Sequence, residues 1–390
     1  MTAFTIFCSV FLIISILYFF IIFLIGLGIF RLKRFTRPGG QPVTKVSIII
    51  PARNEENNIL NCLTDLERQD YPPGLLEVIV VNDHSEDQTE RRVIDFSATH
   101  PLMNLRVIPA GATGNQAFKK YSISSGIGAT AGELIITTDA DTRSDPGWIS
   151  SIAGFYEQDH PEMIIGPVAF HEAASFFERL QVIEFSGLMA ATAGSCNAGF
   201  PLMCNGANLA FTRKAWLGTM DSSDGMQYPS GDDLFLMIRI RKNYGPGSIK
   251  YLFAKEAVVS TKPERLPGRF FNQRLRWVSK SRGYTDPRIM AISVLVWLFN
   301  FLLLSTLVTG IFIPQFLLFS SCLLGLKMLF EFPPVYRIMT LTGGKRFLYL
   351  YPLVQLLDLG YVSLIGILGN VLPYEWKGRK IIPLKRNSRE

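Results

Sequence analysis

Apolar positions along this 390-residue chain follow two different rules. At the ends they merge into unbroken blocks: Met1–Phe30, Ile289–Leu326 and Phe347–Leu372. The first two carry no charged side chain, and the third carries only Asp358. Each is long enough to cross about 30 Å of hydrocarbon at least once. The first is too long for the core of a signal peptide and has no basic residues ahead of it, so it reads as a retained anchor.

In the centre, short apolar runs alternate with amphipathic ones. Val46–Pro51 reads as a buried strand, followed by a helix over Asn57–Arg68 with Ile59, Leu63 and Leu66 at helical spacing. Leu76–Val81 is a second strand, Gln88–Ala98 a polar helix and Leu105–Ile108 a short strand. A helix over Gln116–Ala131 leads to a fourth strand, Glu133–Thr138. Strands alternating with helices predict an α/β fold, a doubly wound, mostly parallel sheet whose ligands sit at the carboxyl ends of the strands. Beyond this unit the pattern becomes mixed. Pro146 is placed to start a helix, Glu172–Ala193 reads as another, Leu209–Thr212 as a strand and Asp232–Asn243 as a helix. Ser186–Cys204 is apolar, but its Gly, Asn and Pro content predicts a buried or interfacial segment rather than a span.

Charge sharpens the picture only beside the membrane. The net charge is +7, and Arg31, Lys33, Arg34 and Arg37 directly follow the first apolar block. The positive-inside rule then puts the central region in the cytoplasm. No basic stripe with stacking aromatics occurs in that region, which argues against nucleic acid as a partner. The five cysteines have neither metal-ligand nor disulfide spacing, and four scattered histidines do not make a zinc site. Gly126-Ile127-Gly128 lies inside a helix ahead of a strand, the reverse of a dinucleotide fingerprint.

The candidate chemistry sits at the strand ends. Asp139 and Asp141 follow the fourth strand at i and i+2, so both carboxylates face one side. Two close carboxylates repel each other unless a cation or proton intervenes, and oxygen-only ligands favour Mg²⁺ or Mn²⁺, which would neutralise nucleotide phosphates. The loops Pro51-Ala52-Arg53-Asn54-Glu55 and Asn82-Asp83 offer polar groups to a base and ribose, or helix caps at Asn54 and Asp83. Lys119 and Lys120 either reach a phosphate or form a solvated helix face. Gly231-Asp232-Asp233 opens a helix; beyond capping, Asp233 is the candidate general base for a hydroxyl nucleophile. Gln273, Arg276 and Trp277 share one helical face and can offer a diphosphate two polar partners and a sugar or lipid a flat ring. Their surroundings, Arg265–Arg282, are basic and aromatic, as an interfacial helix would be.

Taken in order over Val46–Lys280, these stations resemble the membrane-bound family 2 glycosyltransferases of GT-A fold, the branch with ceramide glucosyltransferase and the hyaluronan, chitin and cellulose synthases. Gly206-Ala207-Asn208 and the tail Glu375-Trp376-Lys377-Gly378-Arg379 are also similar to that branch. The resemblance implies a nucleotide-diphosphate sugar donor, UDP-linked, and inverting displacement at the anomeric carbon. It implies that Pro51, Ala52, Arg53, Glu55 and Asp83 hold the nucleotide, Asp139 and Asp141 the sugar nucleotide and metal, and Gly206, Ala207 and Asn208 the acceptor. Gln273, Arg276 and Trp277 would close over diphosphate and acceptor. The third station is often Glu-Asp in this family and is Asp232-Asp233 here, so the base could shift by one residue.

The domain plan expected is an anchor with basic flank (1–37), a GT-A domain ending in an interfacial helix (40–285) and a C-terminal membrane region with a basic tail (286–390). The protein then sits in a membrane that reads as a bacterial inner membrane. One span before the domain and about three after it are thin material for a polysaccharide channel, so a membrane lipid is the expected acceptor. A processive polysaccharide synthase and a catalytically silent donor-binding scaffold are the competing readings. Three spans after a cytoplasmic domain would put the C-terminus outside, whereas Lys377, Arg379, Lys380, Lys385 and Arg386 favour the cytoplasm.

Overall fold

The computed structural model describes residues 3–111, 119–220, 231–377 and 379–381, without the side chains of 3, 4, 119, 120 and 376. After the apolar helix α1 (Ala3–Arg31), the chain builds β1 (Val46–Ala52), α2 (Ile59–Glu67), β2 (Leu76–Asn82), α3 (Thr89–Thr99), β3 (Leu105–Pro109), α4 (Lys119–Gly128) and β4 (Leu134–Thr137). The four strands are parallel in the order β3-β2-β1-β4, with Val46 level with both Leu76 and Leu134. They read as continuous apolar runs because both faces are covered. Alternation then sorts them: Ile49, Ile79, Val81 and Ile135 face one core, and Ile48, Ile50, Val78, Val80 and Ile136 face the other.

The second half supplies β5 (Arg143–Ser144), α5 (Trp148–Asp159), β6 (Met163–Ile165), β7 (Val168–Phe170), α6 (Phe176–Asn197), β8 (Leu209–Thr212), α7 (Arg213–Leu217), α8 (Asp232–Tyr244), β9 (Ile249–Tyr251) and β10 (Val259–Thr261). Here β8 pairs antiparallel with β4, and β6 and β9 extend that edge. A small sheet, β5-β10-β7, crosses above it. Several boundaries differ from the sequence expectation, and two helix starts have a local reason. α6 begins four residues after Glu172, which has φ of 56° and so cannot enter a right-handed helix; a capping box of Ser175 and Glu178 starts it instead. Pro146 stands two residues ahead of α5, whose cap is Gly147.

The part of the Ser186–Cys204 segment within α6 is largely buried, because it receives α1, while Asn197–Gly199 at its end are exposed. A Cβ on Gly28 would lie 2.0 Å from the Gly194 carbonyl, and one on Gly194 2.3 Å from that of Ile25. Only glycines permit this crossing. Asn197 donates to Gly28 O at 2.8 Å and secures it.

α9 (Pro267–Ser279) precedes the helices α10 (Pro287–Gly310), α11 (Pro314–Thr342) and α12 (Tyr351–Leu368). The uncharged block Ile289–Leu326 is thus a helical hairpin, broken ahead of Pro314. Among the described residues, four helical segments (the three blocks' helices, with α12 extended back to Gly344) are long and apolar enough to cross a membrane. The ring pairs Phe7–Phe316 and Phe11–Phe319, 5.8 and 5.6 Å between centroids, join the starts of α1 and α11. At their other ends Arg337 donates to Leu32 O. Buried Lys327 and Gln355 and the hydroxyl of Tyr18 converge on Glu331.

α12 differs from the other three. The turn before it packs Phe347 and Leu350 on Ala173, Val182 and Ile183 of the α/β domain. After it, the hairpin β11 (Tyr374–Trp376) and β12 (Arg379–Ile381) lies on the same domain, where Glu375 N donates to Asn272 Oδ1 at 2.8 Å. Both ends of α12 therefore sit beside the domain.

Candidate active site

The carboxyl edge of the sheet is shaped first by β4. Thr138 continues the ladder by donating from its backbone to Ile49 O, and its hydroxyl reaches Ala207 O at 2.9 Å. Ala140 turns inward and is buried, so Asp139 and Asp141 on either side turn outward into one cavity. Thr142 clamps the turn by donating from Oγ1 to Asp139 O at 2.7 Å, and Thr261 donates to Asp141 Oδ2 at 3.3 Å. Loss of solvent, then the charges of Asp139 and Glu55, push Asp141 up to about 6, with Lys377 opposing. Two oxygen-donor carboxylates held this way fit a divalent cation that completes its shell with ligand oxygens. Among the described residues no third acid, His or Cys joins them.

The cavity encloses about 230 Å³ of water-accessible space and gathers Asp139, Asp141, Gly206, Ala207, Asp232 and Asp233. Gln273, Arg276 and Trp277 line its other side. Asp233 is fixed at the start of α8: Gly206 N donates to Oδ2 at 3.1 Å and Leu234 N to Oδ1 at 2.8 Å. Gly231 has φ of +99°, and a Cβ there would meet Lys280 Cδ at 2.9 Å. Glycine is thus required where the chain turns into the helix.

On α9 the shared face of Gln273, Arg276 and Trp277 points into the cavity, and Arg274, 1% exposed, is buried on the flank beside Gln273 and Trp277. Its guanidinium pairs with Glu184, donates to Gln273 Oε1 at 2.7 Å and stacks 4.0 Å from the Trp277 ring centroid. Arg276 is half-buried and makes no ion pair among the described residues. Burial lowers its pKa, against the nearby Asp139, Asp233 and Glu264. A guanidinium in that position is completed by an incoming anion.

The nucleotide stations lie beside this cavity rather than in it. Arg53 donates to the carbonyls of Asp83 and His84 at 2.9 and 3.0 Å, bridging the loops after β1 and β2. Pro51 and Ala52 form the end of β1, where Ala52 is buried and accepts from Asp83 N. Asp83 is 3% exposed, and its Oδ2 lies 3.5 Å from Arg379. Lys377 reaches Glu55 and donates to Arg53 O at 3.1 Å.

Some residues differ from expectation. Asn208 does not face the cavity: it is fully buried, donates to Pro167 O and Ala257 O and accepts from Trp148 Nε1, all within 3.0 Å. It clamps three segments behind the site, while Gly206 and Ala207 line the cavity. Lys119 and Lys120 open α4, and their side chains lie outside the described part, as does Ser230. Sequence reasoning missed Lys280, whose Nζ stands 3.7 Å from Asp233 Oδ1. Burial and the neighbouring Arg276 lower the Lys280 pKa, but Asp233 with Tyr284 and Cys204 raises it beyond that, so it stays a cation. It is one helical turn past Arg276, a signal that α9 itself contained. Lys377 and Arg379 stand too far along the chain from Glu55 and Asp83 for any spacing rule to pair them.

Comparison with known proteins places the chain in a family. The family described as Glycosyl transferase family 2 matches residues 47–218, and Glycosyl transferase family group 2 matches residues 134–360. The N-acetylglucosaminyltransferase of Mesorhizobium japonicum is 28% identical over 298 residues, 74% of this chain and 67% of that protein. That of Rhizobium leguminosarum bv. viciae is 26% identical over 277 residues, 68% of this chain and 62% of the relative. The chain thus spans about two thirds of the length of the relatives it matches. Among solved structures, the mannosyltransferase PcManGT from Pyrobaculum calidifontis, in complex with GDP-Man and Mn²⁺, superimposes with a TM-score of 0.58 at 16% identity. That alignment covers 93% of this chain and 96% of the other, and at such identity it speaks for the GT-A fold. With a family match over more than half of its length, this chain is a family 2 glycosyltransferase.

Proposed function

We propose that the protein transfers a sugar from a nucleotide-diphosphate sugar to a membrane lipid, with inversion at the anomeric carbon. The observation that carries this reading is Arg276, without an ion pair among the described residues, in one cavity with Asp139, Asp141 and Asp233. Nucleotide sugars appear in the neighbour's complex, and the relatives' names make an N-acetylglucosaminyl donor the first to test. Mg²⁺ or Mn²⁺ held by Asp139 and Asp141 would supply positive charge to the leaving diphosphate. The loops bearing Arg53, Glu55 and Asp83 hold the nucleoside, and Arg276 and Lys280 bind phosphate oxygens. Asp233 accepts the acceptor hydroxyl's proton as that oxygen bonds to the anomeric carbon. The carbon–diphosphate bond breaks with its electron pair going to phosphate. Asp233 rather than Asp232 suits this role, since two backbone donors fix its carboxylate.

A lipid acceptor is supported by the position of the site: Trp277 lines it from α9, the helix that leads into α10. Full-length protein would be incubated with UDP-GlcNAc, UDP-glucose, UDP-galactose or GDP-mannose and a total lipid extract. Label should enter the organic phase with one donor and vanish with EDTA. Label in a water-soluble polymer instead would overturn the lipid acceptor. Absence of transfer from every donor would remove the enzyme reading in this form.

For topology, α1, α10 and α11 cross the bilayer and α12 does not, leaving the α/β domain and tail hairpin together in the cytoplasm. The basic flank of α1 supports that side. In a cysteine-free background, Ile311→Cys should react with an impermeant maleimide from outside intact cells. Asn370→Cys should react only after permeabilisation. Labelling of both from outside would mean that α12 crosses.

A further inference from the structure

A second cleft lies on the far side of the small sheet, away from the sugar-transfer cavity. It encloses about 450 Å³ of water-accessible space. Ser144, Ala169 and Ser260 of the β5-β10-β7 sheet line it, and Leu341, Thr342 and Gly343 at the end of α11 form part of its wall. Arg68, Arg143 and Lys255 contribute three cations. Of these, Arg143 is neutralised by Asp65, to which its Nη2 donates at 2.8 Å. Arg68 and Lys255 are exposed and make no side-chain ion pair or hydrogen bond among the described residues. Asp145 adds a second carboxylate to the lining, and the buried Nε2 of His171, also in the lining, has no hydrogen-bond partner among the described residues.

The level of this cleft relative to a bilayer follows from its wall. α11 is an apolar helix long enough to cross, and the cleft opens where that helix ends. Just beside it, Tyr336 and Tyr349 are exposed, and Lys345 Nζ lies 4.9 Å from the Tyr336 ring centroid. Exposed tyrosines with a lysine are the usual furnishing of a headgroup layer. Three cations against the carboxylates of Asp65 and Asp145 leave the lining with one net positive charge, and with the free imidazole nitrogen and the serines this suits a ligand with several acceptor oxygens and one negative charge.

We propose that this cleft binds the phosphodiester headgroup of an anionic membrane phospholipid, with Arg68 and Lys255 as its charge partners. The lipid bound here is not the sugar acceptor, because the β5-β10-β7 sheet separates it from Asp233. Thr261, which donates to Asp141, lines the sugar-transfer cavity from the neighbouring position to Ser260 on the same strand. Phe170 lines both spaces and marks where they come closest. The assignment needs no sugar transfer and stands apart from the activity proposed above.

Native mass spectrometry of the full chain in detergent, titrated with phosphatidylglycerol, tests it. Wild type should retain one copy, and the double variant Arg68→Ala/Lys255→Ala should bind it about 25-fold more weakly, about fivefold for each cation. The charge-conserving Arg68→Lys/Lys255→Arg should restore retention, which separates a lost site from a misfolded protein. Arg31→Ala/Lys33→Ala removes equal charge from the same membrane face and should leave that copy in place. Equal loss in both alanine pairs would overturn the site in favour of general surface attraction. Displacement of the lipid by millimolar glycerol 3-phosphate would overturn the lipid source and assign the cleft to a soluble phosphate ester.

Discussion

Asp233→Asn should slow sugar transfer about 1000-fold at saturating donor, while donor affinity changes less than about threefold. General-base catalysis contributes roughly 10²–10⁴-fold, and a thousandfold corresponds to about 4 kcal/mol of barrier. The amide cannot take a proton at neutral pH, and it keeps only one of the two hydrogen bonds now accepted from Gly206 N and Leu234 N. Initial rates of product formation, with donor binding followed by calorimetry, measure both quantities. Asp232→Asn is the companion, expected to cost less than about tenfold. A reversed order of the two variants would move the base by one residue, and undiminished rates in both would remove α8 from the chemistry.

Arg274→Met should destabilise the fold by about 3–5 kcal/mol, because it strands Glu184 as an unpaired, largely buried carboxylate. Thermal unfolding in detergent should show a fall of about 10 °C. Breaking a buried pair costs far more than replacing it entirely, so Glu184→Leu/Arg274→Met should recover most of that loss. Activity should not return with stability. The double variant still lacks the guanidinium that stacks on Trp277 and holds Gln273 Oε1. Recovery of both together would mean that Arg274 serves packing alone.

The strands that carry the site were legible because of how they are buried. β1, β2 and β4 are covered on both faces, so an apolar run followed by Asp or Asn marks strand and ligand edge at once. β8, Leu209–Thr212, was readable to the residue, since Gly206 and the cap at Thr212 bound it. Failures have equally local reasons. The left-handed Glu172 delays α6 although its side chain looks helical in a pattern. Asn208 sits beside two cavity residues in sequence, but its amide turns inward to Pro167 O, Ala257 O and Trp148 Nε1, partners that no local pattern reveals. Lys377 and Arg379 meet Glu55 and Asp83 because the hairpin after α12 packs on the domain, a long-range contact that neither spacing nor hydropathy can register.

The contact between Tyr18 and Glu331 joins residues 313 positions apart. At a synthesis rate of about 5–20 residues per second, the anchor waits roughly 15–60 s in the bilayer before that partner exists. An ionised side chain at position 18 would be stranded in lipid for all of that time, whereas a phenol is tolerable. The acid instead arrives late and already accompanied, since Lys327 lies one turn before it on the same helix. In the topology proposed above, the order of synthesis thus matches a polar knot that draws both its charges from α11 and only a neutral hydroxyl from the first-made helix.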